Sequence, residues 1–338
     1  MEDRERGFSL VELMIAMTVT LVITGAVFQL VSAGNTAFRR EPAMADRQLN
    51  IRMGMDIIAQ DLFQAGYGLP AFAQAFTDGL DGQGDGEGNL ILGSGGAVTD
   101  VLEIFRAAEC PFLKVCPVTG QAMKSINTSE LFSACYQFPA LVLMADDVKW
   151  AMRWAEEPGG GASAPPCDGM APGTQHGHAV FPPGQAPVVN PVGGFSGWQP
   201  QYMMVGQAIR YRINVDADGT PNLERSAFGG LLDLDGNSTW RIIARGVEDL
   251  QVQYENTTGW RDTPGSIDCA ASCSAPTQAD YDRLIRRVRV RLSARVTEGG
   301  RFAGESTSAV GNAVRGQLST EIAPRAAMAS LGMARGEL

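Results

Sequence analysis

The sequence predicts an α+β fold: one long N-terminal α-helix, transmembrane in its first half, followed by a β-rich body with long loops. Three observations carry this. Phe8 to Val31 is an apolar run in which Glu12 alone is charged. Ile51, Met55, Ile58 and Leu62 recur at helical spacing. Ala208–Val215 and Leu284–Arg295 alternate apolar with polar residues, the period of half-buried strands.

The apolar run comes first. Its 24 residues span about 36 Å as a helix, against ~30 Å of bilayer hydrocarbon. A secretory signal would be shorter and would end in a small-residue cleavage site. Here the polar leader Met1–Gly7 precedes the run, and no A-x-A-like site follows it. The positive-inside rule does not orient it, because Arg4 and Arg6 stand before the run and Arg39, Arg40 and Arg47 after it. Glu12 inside such a run costs roughly 2.5–3.5 kcal/mol on insertion scales, so it calls for a partner. The helix continues as an amphipathic half, with Asp46, Arg47, Arg52 and Asp61 expected largely off the apolar face. Gly25, Gly34 and Pro42 are expected points of bend, and Gly66, Gly68 and Pro70 stop the helix.

The body follows. Val101–Phe105 and Leu141–Met144 read as strands. Ile242–Tyr254 reads as a short helix or turn at Val247–Asp249 and then a strand. In Leu284–Arg295, Val288, Val290 and Leu292 face inward and Arg287, Arg289 and Arg291 outward. Glu157–Pro200 is dense in Gly and Pro and without periodicity, a long excursion. The tail after Arg301 is small, polar and expected to be weakly ordered. The resulting division is 1–7 leader, 8–34 apolar helix, 35–68 amphipathic continuation and 69–338 body, with loop insertions near 157–200 and 255–280.

Composition limits function. The 338 residues carry 27 Lys plus Arg against 37 Asp plus Glu, a net charge of −10. That balance gives no basic footprint for nucleic acid. Six cysteines, Cys110, Cys116, Cys135, Cys167, Cys269 and Cys273, all follow the apolar segment without CxxC spacing. They suit disulfides in an oxidising compartment. Short loops point to Cys110–Cys116 and Cys269–Cys273, leaving Cys135–Cys167. Asp81, Asp85, Glu87 and Asn89 sit in a Gly-rich run without EF-hand spacing, a solvated turn in preference to a Ca²⁺ loop. Asp216–Gly219 and Asp233–Asn237 read as hairpin turns. His176 and His178 are too few for a metal site and read as solvated loop residues. Cys167 with His176 lacks the surroundings of a nucleophile pair. No cofactor, metal or catalytic residue is expected. A membrane-anchored hydrolase is a distant alternative.

One resemblance is specific. Gly7-Phe8-Ser9-Leu10-Val11-Glu12, set between a short polar leader and an apolar helix, resembles the class III signal of type IV prepilins and pseudopilins. The resemblance implies cleavage between Gly7 and Phe8 by a prepilin peptidase on the cytoplasmic face. It also implies N-methylation of Phe8, and a Glu12 that meets the Phe8 amine of a neighbouring subunit during assembly. The implied architecture is pilin-like, with a mainly antiparallel sheet packed on the second half of the helix. Asp61–Tyr67, Thr99–Leu102 and Gly246–Tyr254 are similar to stretches of the PilW-type minor pilins. That likeness implies a structural, non-enzymatic subunit working in pilus assembly or priming, and with it adhesion and twitching motility. The implied location is the bacterial inner membrane with the body in the periplasm, and later the pilus surface. The implied partners are the prepilin peptidase, major and minor pilins, the inner-membrane assembly machinery and a tip adhesin. A minor pseudopilin of a type II secretion system is the alternative.

Overall fold

The computed structural model describes residues 9–77, 99–116, 125–128, 131–132, 134–156, 177–181, 188–189, 191, 193–217, 219–228, 240–265, 277–295 and 315–325. One helix, α1, runs Leu10–Phe63. The strands are β1 Phe76–Thr77, β2 Leu102–Ala107, β3 Leu113–Lys114, β4 Ser125–Thr128, β5 Ala140–Ala145, β6 Trp150–Ala155 and β7 Gly177–Val180. They continue as β8 Tyr202–Val215, β9 Pro221–Phe228, β10 Arg241–Arg245, β11 Val247–Asn256 and β12 Gly259–Arg261. A short helix α2, Gln278–Asp282, precedes β13 Arg287–Arg295 and β14 Arg315–Ile322.

Among the described residues all strand pairings are antiparallel. The long strand β8 is the spine of the large sheet. Its first residues pair with β5 and β3, and its later ones with β2 on one side and β9 on the other. A second sheet has the order β12-β11-β13-β14. Ile51, Met55, Ile58 and Leu62 of α1, with Ala65 just beyond it, are buried in one core. Inward residues of both sheets complete it, among them Ile104, Ile209, Ile213, Leu223, Leu250, Val288, Val290 and Leu292. Both ends of the 3.6-residue and 2-residue periodicities therefore meet in one place, as the α+β pilin-like reading expects. In β5 all six residues are buried, because Leu141, Leu143 and Ala145 face one core and Val142 and Met144 another.

The helix lies close to the sheets. A Cβ on Gly54 would stand 2.9 Å from Leu223 Cδ2. Glycine inside a helix costs ~1 kcal/mol relative to alanine, less than the ~1–3 kcal/mol of overpacking it avoids. Past Phe63, Gly68 adopts φ +72°, and a Cβ there would come within 2.5 Å of Ala107 Cβ. The turn is stitched to β2 by Gly66 N–H donating to Phe105 O (2.8 Å) and Ala107 N–H donating to Tyr67 O (2.6 Å).

The helix runs unbroken through Gly25, Gly34 and Pro42. Several other expectations are corrected. Val247–Asp249 is strand, not helix, because Gly246 turns the chain at φ 76° directly from β10 into β11. The 157–200 excursion contains β7, which pairs with β4, and Val189, which bridges Met152. The segment after Arg301 contains β14, which completes the second sheet on β13. The strand expected from Leu284 begins at Arg287, because α2 and its following turn come first. The 255–280 insertion begins inside β11 and carries β12. Asp61 is buried, for a reason given below. The chain turns between β8 and β9 where expected, with Gly219 N–H donating to Asp216 O at 2.9 Å.

Candidate functional site

The feature that sets this molecule apart is a bare apolar helix. Leu10–Ser32 is a 23-residue apolar segment whose most apolar stretch has a mean hydropathy of 2.1, none of it buried. Fourteen large apolar side chains between Leu10 and Val31 are exposed. Burying one such side chain is worth ~1.5–3 kcal/mol, so together they hold on the order of 20–40 kcal/mol of unrealised burial. That exceeds the ~5–15 kcal/mol net stability of an ordinary domain. The surface therefore demands lipid or protein around it. Its three threonines are satisfied within the helix. Thr18, Thr20 and Thr24 hydroxyls donate to the carbonyls of Ile15 (2.9 Å), Ala16 (2.7 Å) and Thr20 (2.7 Å). This is how a helix enters hydrocarbon without unpaired donors.

Glu12 is the exception, and it sits in the first turn. Its Oε2 accepts from the Ser9 N–H at 3.4 Å. The positive end of the helix dipole favours a carboxylate there. That is partial compensation only, since a buried charge requires a matched counter-charge. Among the described residues Glu12 has no cationic partner. Gly7 and Phe8, the expected cleavage and methylation positions, lie outside the described residues.

The other end of the helix is fixed by a polar cluster that sequence spacing did not reveal. The Asp61 carboxylate accepts from the Tyr211 hydroxyl and from Arg225, whose Nε and Nη2 lie 2.7 and 3.3 Å from its two oxygens. Burial pushes the Tyr211 hydroxyl far up, and the adjacent Asp61 charge adds to this. Burial works against the Arg225 charge, but the hydrogen bond and charge of Asp61 outweigh it and raise its pKa overall. The helix is thus bare at one end and bolted to β8 and β9 at the other. Residues 99–102 and 246–254 also meet. Asp100 N–H donates to Leu250 O at 2.8 Å, and Val252 N–H donates to Asp100 Oδ2 at 2.7 Å.

The cysteine map needs correction. Cys110 bonds to Cys135, with Cα atoms 5.8 Å apart, a normal disulfide separation. The expected Cys110–Cys116 and Cys135–Cys167 pairs are therefore excluded. After β3 the chain turns Cys116 toward β4, where its N–H donates to Asn127 O at 2.8 Å, away from Cys110. Cys116 is itself disulfide-bonded. Cys167, Cys269 and Cys273 lie outside the described residues, as do Asp81–Asn89, Asp233–Asn237 and His176. His178 is not in a solvated loop. It stands on β7 with its Nδ1 against Asn127 Oδ1 of β4. Among the described residues no three His, Cys, Asp or Glu side chains are grouped to hold a metal.

Against known proteins, residues 3–28 match the prokaryotic N-terminal methylation motif. That span takes in Gly7, Phe8 and Glu12. No curated protein and no solved structure matches the chain. Motif and bare helix together support a protein of the pilin and pseudopilin class, processed by a prepilin peptidase and anchored in a membrane.

Proposed function

We propose that this chain is a minor type IV pilin, a structural subunit of pilus assembly or priming. The single observation that carries the reading is a methylation motif set on an apolar helix that the body leaves uncovered. Leader 1–7 is removed after Gly7, and Phe8 becomes a methylated N-terminal amine. The helix holds the precursor in the inner membrane with the body in the periplasm, then moves sideways into a filament core. There Glu12 takes the Phe8 ammonium of a neighbour as its counter-charge. An unpaired carboxylate disfavours remaining in lipid, and pairing is met at one stagger only, so the charge sets register. The PilW-like stretches support a pilus in preference to a secretion pseudopilus. A deletion strain separates the two: loss of surface pili supports the first, loss of exported proteins with intact pili the second.

Two substitutions test the chemistry. Gly7→Val puts a branched side chain where the peptidase takes glycine, so N-terminal sequencing of the membrane-extracted protein should then find Met1. The unaltered protein should begin at methylated Phe8, and an unaltered start at Met1 would refute the reading. Glu12→Leu should insert and be cleaved normally yet be missing from sheared filaments. Normal recovery in those filaments would show that the pairing argument is wrong.

A further inference from the structure

The outward face of the second sheet is a polar ladder. Arg287, Arg289 and Arg291 of β13 stand opposite Glu255, Gln253 and Gln251 of β11. Arg287 Nη2 donates to Glu255 Oε1 at 2.7 Å and Arg289 Nη2 to Glu321 Oε1 at 2.8 Å. Both guanidiniums lie over the Trp260 ring, 5.5 and 4.1 Å from its centre. Beyond this matched pair the ladder opens into a cleft of about 260 Å³ lined by Asp100, Gln251, Gln253, Asp262, Arg289 and Arg291. Among the described residues the Arg291 side chain makes no hydrogen bond or ion pair.

The lining decides the ligand class. An anion entering the cleft meets the Asp100 and Asp262 carboxylates, and a metal cation meets two guanidiniums. An apolar molecule finds only Val252 as an apolar wall. What fits two carboxylates, two carboxamides and two guanidiniums around one small space is a neutral molecule bearing adjacent hydroxyls. Each hydroxyl donates to a carboxylate and accepts from a neighbouring N–H, and bonds with one charged partner are the stronger kind. The groups are already held in place. Asp262 Oδ1 accepts from Gln253 Nε2 at 3.1 Å, Gln253 Oε1 accepts from Arg289 Nη1 at 3.1 Å, and Asp100 Oδ2 is fixed by the Val252 N–H at 2.7 Å. The volume falls just below the ~300–1,000 Å³ of drug-sized sites, so it admits one ring with any further chain left in solvent.

We propose that this cleft binds a neutral sugar residue, such as the terminal ring of a surface glycan, and makes the body a carbohydrate-binding head. The cleft lies on β11, β13 and the segments beside them, so the inference stands independently of how the apolar helix assembles.

The test uses the full chain, purified in a detergent without a sugar headgroup, and saturation-transfer NMR. The probes are glucose, galactose, mannose and N-acetylglucosamine, with glucuronic acid and inorganic phosphate in parallel. At least one neutral sugar should bind with a Kd of ~1 mM. Arg291→Ala and Asp262→Ala should each weaken it about tenfold or more, the factor expected for a lost charge-assisted hydrogen bond. Gln317→Ala, on the same face outside the cleft, should leave it unchanged, and equal unfolding midpoints show that all variants fold. Absence of neutral-sugar binding at ~20 mM, binding of phosphate or glucuronate alone, or neutral-sugar binding that survives both cleft substitutions overturns the proposal.

Discussion

Replacing Asp61 with Ala should unseat the helix from the body. The carboxylate is nearly buried, with its side chain 8% exposed, and it serves a fully buried Tyr211 and an Arg225 that is 27% exposed. Alanine leaves the Tyr211 hydroxyl proton only a long acceptor, Ile57 O at 3.4 Å, while Arg225 Nε still donates to its oxygen at 3.3 Å. It also leaves Arg225 without its anion. Removing one member of a buried ion pair costs ~3–5 kcal/mol, and because water reaches part of Arg225 the lower end applies, about 3 kcal/mol. Asp61→Asn keeps an acceptor and should cost about 1.5 kcal/mol, and Tyr211→Phe, which spares the ion pair, about 1 kcal/mol. Adding Arg225→Met to Asp61→Ala removes the stranded cation and should restore about 2 kcal/mol. Denaturant unfolding of the detergent-solubilised full chain, followed by tryptophan fluorescence, reads all four. An Asp61→Ala protein within ~0.5 kcal/mol of the original, or a double variant no more stable than Asp61→Ala, would refute the bolt.

Two further outcomes follow from the body. Non-reducing peptide mapping should recover Cys110 linked to Cys135, and Cys135→Ser should lose about 3.5 kcal/mol, the chain-entropy value for a loop of that length; recovery of a Cys110–Cys116 peptide would overturn the map. Glu255 is held below the ordinary carboxylate range, first by its hydrogen bond from Arg287 and then by that residue's charge. Its contribution is therefore complete above the unfolded value of ~4.3 and is lost as pH falls through the lower folded value. An unfolding series across the acid limb should be shallower for Glu255→Gln, and an identical slope would remove Glu255 from acid sensitivity.

What could be read from the sequence is what short-range periodicity encodes. The apolar run, the stripe Ile51–Leu62 and the alternation of Val288, Val290 and Leu292 report a buried or lipid-facing surface at fixed local spacing. Glu12 was legible because one charge in an apolar run is anomalous in itself. Asp61 was not, since its partner Arg225 stands 164 residues away and a lone acid on a helix ordinarily faces water. The same holds for Cys110, where loop length favours Cys116 but the fold brings Cys135 alongside. Strand β14 escaped notice because only Leu318 and Ile322 mark its inner face. It is stabilised by the register of β13, not by its own composition. The cleft beside Arg291 escaped for a related reason. Asp100, Gln251 and Asp262 come from three separate segments, each unremarkable alone.

The position of β14 has a consequence for how the molecule is made. This strand pairs with β13 and lies against α1, close enough that a Cβ on Gly316 would stand 3.0 Å from the Arg47 guanidinium. The earliest element to leave the ribosome is thus covered in part by the latest strand among the described residues. Contacts of such wide sequence separation form late. Until residues near 320 have been translated, the sheet that seats the helix lacks an edge. A polypeptide cut short before Arg315 would carry the apolar helix under an open core, the kind of species that aggregates or is degraded. The core that seats the helix is therefore closed only in chains that have been read through to that strand.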